Sequence, residues 1–170
     1  GCELMYPLYD VMKQQVLSQS YLQADETPIK VLDKNKKGAT HLGYYWVYHA
    51  PLLKMTLYEY QPGRGRDGPA ELLKNFNGRL QSDGYVVYES LNNPGIILLN
   101  CMAHARREFD EAKQNDVARA THVLEQMQLL YDIERKAREG KLGHLQRYEL
   151  RQEESVPLLQ GLEQWFKENI

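Results

Sequence analysis

The sequence predicts an α/β protein with a mixed five-stranded sheet, flanking helices and an all-helical segment after the sheet. Three segments rich in aromatic and β-branched residues follow one another through short connections between residues 21 and 61, which is typical of an antiparallel meander. Two more strand-like segments then alternate with helical patterns up to residue 102, as in parallel strands joined by crossovers. From Cys101 onwards the periodicity is helical only.

Composition sets limits on the kind of protein. The 170 residues are 42% apolar and 26% charged, the profile of a folded globular domain. The net charge is -2, so attraction to nucleic acid has to come from a local basic patch. Only two cysteines, Cys2 and Cys101, are present, which favours a reducing compartment over a disulfide framework. No apolar run approaches the roughly 20 residues of a membrane span, and we expect a cytoplasmic protein.

The first half of the chain begins with an amphipathic helix and continues as the meander. Apolar residues recur near helical spacing within residues 3–19, and they are Leu4, Leu8, Val11, Met12 and Leu17. Strands are predicted at 21–32, 42–50 and 54–61. Residues 33–40, charged and with a glycine, form the first turn. We expect Pro28 to interrupt the ladder of the first strand.

The crossover region follows. Asp67 is a predicted N-cap and Pro69 lies in the first turn of a helix whose buried stripe is Ala70, Leu73 and Phe76. A fourth strand ends at Asp83, a brief helix covers 85–91, and the apolar run 95–102 is a fully buried fifth strand. The order β-β-β-α-β-α-β is that of the ribonuclease H fold, and the right-handedness of crossovers leaves few other topologies.

The remaining residues predict three helices. The first is long, ends near Gly140 and has one apolar seam, formed by Val117, Ala120, Leu124, Met127 and Tyr131. A second begins near residue 142. A third begins near Ser155 and Pro157 and faces inward with Leu158, Leu162, Trp165 and Phe166. We therefore divide the chain into an N-terminal helix and linker (1–20), an incomplete ribonuclease-H-like core (21–113) and a helical insertion subdomain (114–170).

Two aspartates are the candidate metal ligands. Asp25 lies near the middle of the first strand, where aspartate is depleted, and Asp83 ends the fourth strand. These strands are neighbours in a ribonuclease H topology, so the two carboxylates converge and a divalent cation relieves their repulsion. Asp83 followed by Gly84 is also a common turn dipeptide, and a strand-end charge plus a turn residue is the alternative. Glu26 points to the opposite face and is interpreted as structural or supporting.

Basic residues at two places are candidate DNA contacts. Arg106 and Arg107 follow Cys101 and His104, and a pair of arginines suits a phosphate clamp. Pairing with acidic neighbours on the same helix is the alternative. The Cys101–His104 pair is not expected to bind zinc, which needs about four ligands.

The glycine-rich loop 63–68 is the second basic segment. Arg64 and Arg66 lie in it and could hold phosphate. The loop lacks the Lys-Ser/Thr ending of a nucleotide-binding P-loop, so ATP binding is rejected. We expect the aromatic residues of the meander to pack within the sheet rather than stack on bases, and they are Tyr44, Tyr45, Trp46, Tyr48, Tyr58 and Tyr60.

Four motifs taken in order point to a family. "ADETPIKVL", "GYYWVY", "GRLQSDGYVVY" and "NCMAHARREFDEA" strongly resemble the DDE transposases of the insertion-sequence-66 family, over about residues 4–113. The resemblance implies a core that cleaves and joins transposon DNA with Mg²⁺ or Mn²⁺. Asp25 would be the first catalytic acid and Asp83 the second, and Cys101 and His104 would organise the active site or handle a DNA strand.

The third acid of such enzymes is missing from the pattern. The family places it after a helical insertion, in a segment resembling N-N-x-x-E, and this sequence contains no such segment. Residues 114–170 then resemble the insertion itself. Glu108 is the local candidate for a third ligand. We expect a chain that folds but catalyses poorly alone, and strand transfer by the isolated chain would contradict that expectation and favour Glu108.

The implied partners are transposon-end and target DNA, a second copy of the chain in a homo-oligomer, and accessory transposition proteins, with a bacterial, nucleoid-associated location. Two alternatives stay open at this point. One is a nuclease of the same fold without strand transfer, which would use the same carboxylates. The other is a non-catalytic DNA-binding or assembly module, whose apolar seam over residues 117–131 would contact a partner.

Overall fold

The computed structural model describes residues 2–32 and 38–169. Contacts divide the chain into two compact units, Gly1–Cys101 and Met102–Ile170. The predicted turn at 33–40 lies mostly outside the described residues. The predicted division into 1–20, 21–113 and 114–170 stays a prediction.

The first unit is built on a mixed five-stranded sheet. The strands are β1 (Tyr21–Leu32), β2 (Thr40–Ala50), β3 (Met55–Gln61), β4 (Gly78–Ser82) and β5 (Ile96–Asn100). The helices are α1 (Tyr6–Leu17), which follows a 3₁₀ turn at Cys2–Met5, α2 (Asp67–Leu73) and α3 (Val86–Glu89). The spatial order is β3-β2-β1-β4-β5; the first three strands are antiparallel, and β4 and β5 run parallel to β1. The predicted ribonuclease-H-like α/β arrangement is thus confirmed.

The register between β1 and β4 positions the two candidate acids. The parallel pairing aligns three residues of each strand and ends at Gln23 opposite Gln81. Asp25 and Asp83 each lie two residues further along, so they emerge at the same end of the sheet. Beyond that point β1 continues with β2 as its paired neighbour as far as Leu32. The predicted interruption at Pro28 is wrong: Pro28 pairs with Tyr44, and a strand with one paired neighbour tolerates a residue that lacks an N–H.

The core of the first unit lies on one face of the sheet. Leu22, Trp46, Tyr48 and Leu80 are fully buried, as the alternation of strand residues predicts. The expected packing role is confirmed for Trp46 and Tyr48. On the other face the aromatic rings contact one another. Tyr45 meets Tyr58 and Tyr60 edge-on, with ring centroids 6.4 and 5.9 Å apart.

The predicted apolar stripe of α1 is wrong in its first part, although Leu17 at the end of the helix packs against the core. Leu4, Leu8 and Val11 are 86, 53 and 50% exposed, whereas Val16 is fully buried. The face that packs includes Tyr9, whose hydroxyl donates to the Tyr58 carbonyl at 3.5 Å. The sparse apolar residues of this helix fit two faces equally well, and contact with β3 selects the one with Tyr9 and Val16.

Two further local predictions are wrong. The strand β5 is not fully buried: Ile97, Leu98 and Leu99 are 55, 37 and 37% exposed, because β5 is the edge of the sheet and pairs with β4 on one side. Asp67 is not the N-cap of α2, since the helix already includes it and Arg66 occupies the cap position. Phe76 is buried as predicted, but it lies beyond the end of α2.

The second unit is helical throughout. It contains α4 (Met102–Ala112), α5 (Val117–Glu139), α6 (His144–Leu150), a π-helical turn (Arg151–Ser155) and α7 (Val156–Asn169). The predicted seam is confirmed at Ala120, Leu124 and Met127, which are buried, and wrong at its ends, where Val117 and Tyr131 are 65 and 37% exposed. Leu124 and Met127 pack together with Val123 and with Leu162 of α7. Among the described helices, none is long and apolar enough to cross a membrane.

Candidate metal centre

Asp25 lies on β1 just past the end of the pairing with β4. Its side chain is exposed, and one oxygen, Oδ1, accepts a hydrogen bond of 2.9 Å from the backbone N–H of Glu26. That bond fixes one carboxylate oxygen and leaves the other available. Asp25 is therefore a fixed and solvent-accessible candidate metal ligand on a strand of the central sheet.

Asp83 lies in the tight turn that follows β4. Its Oδ1 accepts from the N–H of Tyr85 at 2.9 Å, and Gly84 between them has a φ of +86°, a conformation that favours glycine. The preceding Ser82 is buried, and its carbonyl accepts from the Cys101 N–H at 2.7 Å. The Asp-Gly turn predicted as an alternative reading is present, and it holds the Asp83 carboxylate in place.

Glu26 has the least ordinary environment of the three carboxylates. Its side chain is only 3% exposed. Oε1 accepts from Arg64, with Nε at 2.7 Å and Nη2 as a second donor, whereas Oε2 is buried and has no hydrogen-bond partner among the described residues. Burial raises the pKa of Glu26; Arg64 opposes this, and the charges of Asp83 and Asp25 add to it.

The three carboxylates form one cluster. Asp25, Glu26 and Asp83 each offer an oxygen, and these oxygens lie within 4.8 Å of one another. Two such charges at that separation repel by about 3 kcal/mol at an effective dielectric of about 20. The all-oxygen ligand set suits Mg²⁺ or Mn²⁺ rather than zinc, and Glu26 has one carboxylate oxygen, Oε2, that makes no hydrogen bond among the described residues. The residues therefore fit a hard divalent cation.

Arg64 is held against the cluster by stacking. Its guanidinium carbon lies 4.1 Å from the centroid of the Tyr85 ring, and the Tyr85 hydroxyl donates to the Arg64 carbonyl at 3.1 Å. Tyr85 in turn stacks on Trp46, with centroids 6.4 Å apart and planes 25° apart. Arg64 thus links the loop before α2 to the turn that carries Asp83. Arg66 in the same loop is exposed, and no ion pair involves it within the described part of the chain.

The other predicted site residues lie at the end of the first unit and in the second. Cys101 is a half-buried free thiol. His104 of α4 is half-buried, and its Nδ1 has no partner among residues 2–32 and 38–169. Arg106, Arg107 and Glu108 are exposed on α4.

The alternative role of the two arginines can be checked. The nearby Asp110 pairs with Lys113 at 2.8 Å, and no ion pair to either arginine is formed within the described ranges. Arg106 and Arg107 are therefore free charges on α4. Their role toward DNA and the role of Glu108 toward a metal stay predictions.

Two contacts at the carboxylate cluster do not follow from the sequence. Glu26 does follow the buried face, as predicted, and its structural or supporting role stays a prediction, but its longer side chain brings a carboxylate oxygen to the cluster. Tyr85, two residues after Asp83, contacts Arg64 through its ring and its hydroxyl. The position of Glu26 next to Asp25 on the same strand indicates that the two carboxylates could lie close together. No local sequence pattern predicts the contact of Tyr85 with Arg64.

Comparison with known proteins places the chain in a family. The family model described as "Transposase IS66 family" matches residues 1–170. The chain belongs to the IS66 transposase family. The resemblance seen in the four motifs is thereby confirmed, and the family model extends through the helical unit.

The curated relatives carry no functional names. The chain is 34% identical to the uncharacterized protein y4qI of Sinorhizobium fredii (strain NBRC 101917 / NGR234), over 99% of the chain and 34% of the relative. It is 30% identical to the uncharacterized protein y4jD of the same strain, over 92% of the chain and 33% of the relative. The chain thus spans about a third of the length of these relatives. No solved structure matches it.

Proposed function

We propose that the first unit carries the cation-binding half of a DNA transposase active site that cleaves DNA strands and transfers them to a target. The observation that supports this most directly is the meeting of Asp25, Glu26 and Asp83 within 4.8 Å at the end of adjacent parallel strands, in a chain of the IS66 transposase family. An exposed acidic cluster alone would be weak support. Here one member is buried and keeps an oxygen without a partner.

Each residue has a distinct part in the proposed site. Asp25 and Asp83 hold Mg²⁺ or Mn²⁺, since both are fixed by backbone hydrogen bonds of 2.9 Å. When bound, such a cation supplies Lewis-acid chemistry that activates an oxygen nucleophile and stabilises the leaving oxygen of a phosphodiester. Arg64 supplies a guanidinium beside the acids for a DNA phosphate. Tyr85 orients that guanidinium by stacking.

The partners follow from the same assignment. We expect transposon-end and target DNA to contact the basic residues, which are Arg64, Arg66, Arg106 and Arg107. Self-association and accessory transposition proteins stay predictions that rest on family membership. Because the described carboxylate cluster has no third acid from a distant segment, we expect the isolated chain to bind the cation and to catalyse strand transfer poorly.

Calorimetric titration with Mn²⁺ tests the proposal. The wild-type chain is expected to bind Mn²⁺, whereas Asp25→Asn and Asp83→Asn lose binding without loss of fold by circular dichroism. DNA binding should be unchanged or tighter in both variants, since a negative charge is removed. Asp10→Asn, which removes an exposed carboxylate on α1, is the matched control and should bind Mn²⁺ as the wild type does.

The outcomes separate the candidate functions. Unchanged Mn²⁺ binding in Asp25→Asn and Asp83→Asn would leave a DNA-binding or assembly module as the better description. Binding that is lost in both variants, together with Mn²⁺-dependent nicking but no joining of DNA strands by a transposase containing this segment, would indicate a nuclease.

A further inference from the structure

The two oxygens of Glu26 are used unequally. Oε1 receives both hydrogen bonds from Arg64, and Oε2 is buried without a partner in the described structure. A carboxylate that is 3% exposed is costly to desolvate unless it is fully paired. One half of this carboxylate is therefore satisfied by an arginine, and the other half is available to a ligand.

The charges around Glu26 do not balance. Three carboxylates converge within 4.8 Å, and the ion pairs among the described residues bring one cation, Arg64, to them. A formal charge of -2 remains at the cluster. A divalent cation would neutralise it, but a divalent cation and a guanidinium both close to Glu26 would repel each other.

The surroundings of Arg64 allow its side chain to move away from Glu26. Its side chain is 45% exposed, in contrast to the buried Glu26. Its neighbours Gly63 and Gly65 lie in open space, with no atom within 4 Å of where a Cβ would be, so the side chain of Arg64 has open space on both sides along the loop. The stacking contact with Tyr85 at 4.1 Å does not require Glu26, and it would keep the guanidinium beside the site after the ion pair opens.

We propose that Arg64 and a divalent cation exchange at Glu26, so that cation binding releases the Arg64 guanidinium to contact a DNA phosphate. Glu26 is then a third carboxylate of the cation site, and Arg64 occupies it in the absence of the cation. The exchange couples the two ligands of the protein: the cation favours DNA binding through Arg64, and DNA bound to Arg64 favours the cation by the same factor. This inference rests on the proposed cation site at Asp25 and Asp83.

Mn²⁺ calorimetry on a double-mutant cycle tests the exchange. Arg64→Gln removes the competitor and should tighten Mn²⁺ binding by about fivefold or more. Glu26→Gln should weaken it by about tenfold or more. In the Glu26→Gln background, Arg64→Gln should have little further effect, because there is no shared carboxylate left. Arg79→Gln on β4, which removes an exposed positive charge outside the site, is the charge-matched control and should not tighten binding comparably.

Two results would contradict the exchange of Arg64 and the cation. If Arg64→Gln leaves Mn²⁺ affinity unchanged or weakens it, the ion pair is a permanent structural contact and the exchange is wrong. The same conclusion follows if Arg79→Gln tightens binding as much as Arg64→Gln does, because net charge alone would then explain the effect. Arg64→Gln changes an exposed loop residue, so the comparison of Mn²⁺ affinity between this variant and the wild type remains a valid test even if Glu26→Gln does not fold.

A DNA-binding measurement gives the second readout. Fluorescence anisotropy with a labelled duplex should show that Arg64→Gln binds as wild type does without Mn²⁺ and more weakly than wild type with Mn²⁺. Arg66→Gln, in the same loop but without a carboxylate partner in the described structure, should weaken binding equally in both conditions. An Arg64→Gln defect of the same size with and without Mn²⁺ would overturn the exchange.

Failure of the exchange and failure of the proposed site have different signatures. If Asp25→Asn and Asp83→Asn abolish Mn²⁺ binding while Arg64→Gln and Glu26→Gln do not change it, the cation site stands and the exchange fails. If the aspartate variants bind Mn²⁺ normally, the site itself is wrong.

Discussion

Replacing Asp83 with asparagine is expected to make the cation-free protein more stable. Asp83 contributes to two repulsive pairs, with Asp25 and with Glu26, at oxygen separations of 4.8 Å or less. Each pair costs about 3 kcal/mol at an effective dielectric of about 20. Solvent screening at the exposed Asp25 and the lost attraction of Arg64 reduce the net gain to about 1–2 kcal/mol. Asparagine keeps the side-chain oxygen that accepts from the Tyr85 N–H, so the turn is preserved.

Thermal unfolding with and without Mn²⁺ measures this effect. A gain of about 1–2 kcal/mol corresponds to a rise in Tm of roughly 2–8 °C for a chain of this size. In Mn²⁺ at about 100 times Kd the wild type should gain about 2.7 kcal/mol, and Asp83→Asn should gain nothing. Fluorescence of Trp46 in a Trp165→Phe background reports the first unit alone, since the chain has two tryptophans. Asp10→Asn is the control. A cation-free Asp83→Asn protein that is less stable than wild type, or one that Mn²⁺ still stabilises, would refute the reasoning.

Three other substitutions have defined outcomes. Gly84→Ala should destabilise by about 1–3 kcal/mol in urea unfolding, because φ is +86° there and alanine is strained in that region; an unchanged midpoint would contradict the assigned turn. Leu80→Ala should cost about 2–5 kcal/mol, because Leu80 is fully buried; a loss below 1 kcal/mol would show that the site is not core. Arg151, 2.6 Å from Glu134, lowers the pKa of Glu134 from its ordinary 4.5, so the pair stabilises above that pH and the stability is lost as pH falls through the lowered pKa. The difference between wild type and Glu134→Gln should shrink on acidification, and a difference constant with pH would contradict the pair.

The meeting of the two aspartates was predictable because it needs only strand order and residue parity. Side chains alternate along a strand, and the crossover rule makes the first and fourth strands neighbours. Asp25 and Asp83 then fall equally far beyond the last aligned pair, Gln23 and Gln81. No knowledge of packing enters that inference.

The position of the Glu26 carboxylate was not predictable because it depends on side-chain length and burial rather than on the alternation of side chains along the strand. Parity correctly assigns Glu26 to the buried face, yet its carboxylate lies near that of Asp25. The ion pair with Arg64 joins residues 38 positions apart, through a loop whose course the sequence does not specify. A sequence pattern does not show which arginine forms an ion pair with which acidic residue.

The misassigned burial of β5 and α1 has a related cause. An apolar run indicates a strand that can be buried, but the number of neighbours decides whether it is, and β5 has one. In α1 the apolar residues are sparse enough that helical spacing allows two faces, and contact with β3 decides between them. Both errors concern tertiary contacts, whereas the five strands, their order along the chain and the helical segment after them depended on local signals and were predicted correctly.

Paramagnetic broadening of backbone amide NMR signals by Mn²⁺ tests the proposed cation site most directly, because it locates the ion without relying on catalysis. Substoichiometric Mn²⁺ should first broaden the amides of Asp25, Glu26 and residues 83–85, and Asp83→Asn should remove that pattern. Broadening that begins instead at other acidic residues, or that spreads evenly over the acidic surface and persists in Asp83→Asn, would contradict a cation site at the ends of β1 and β4.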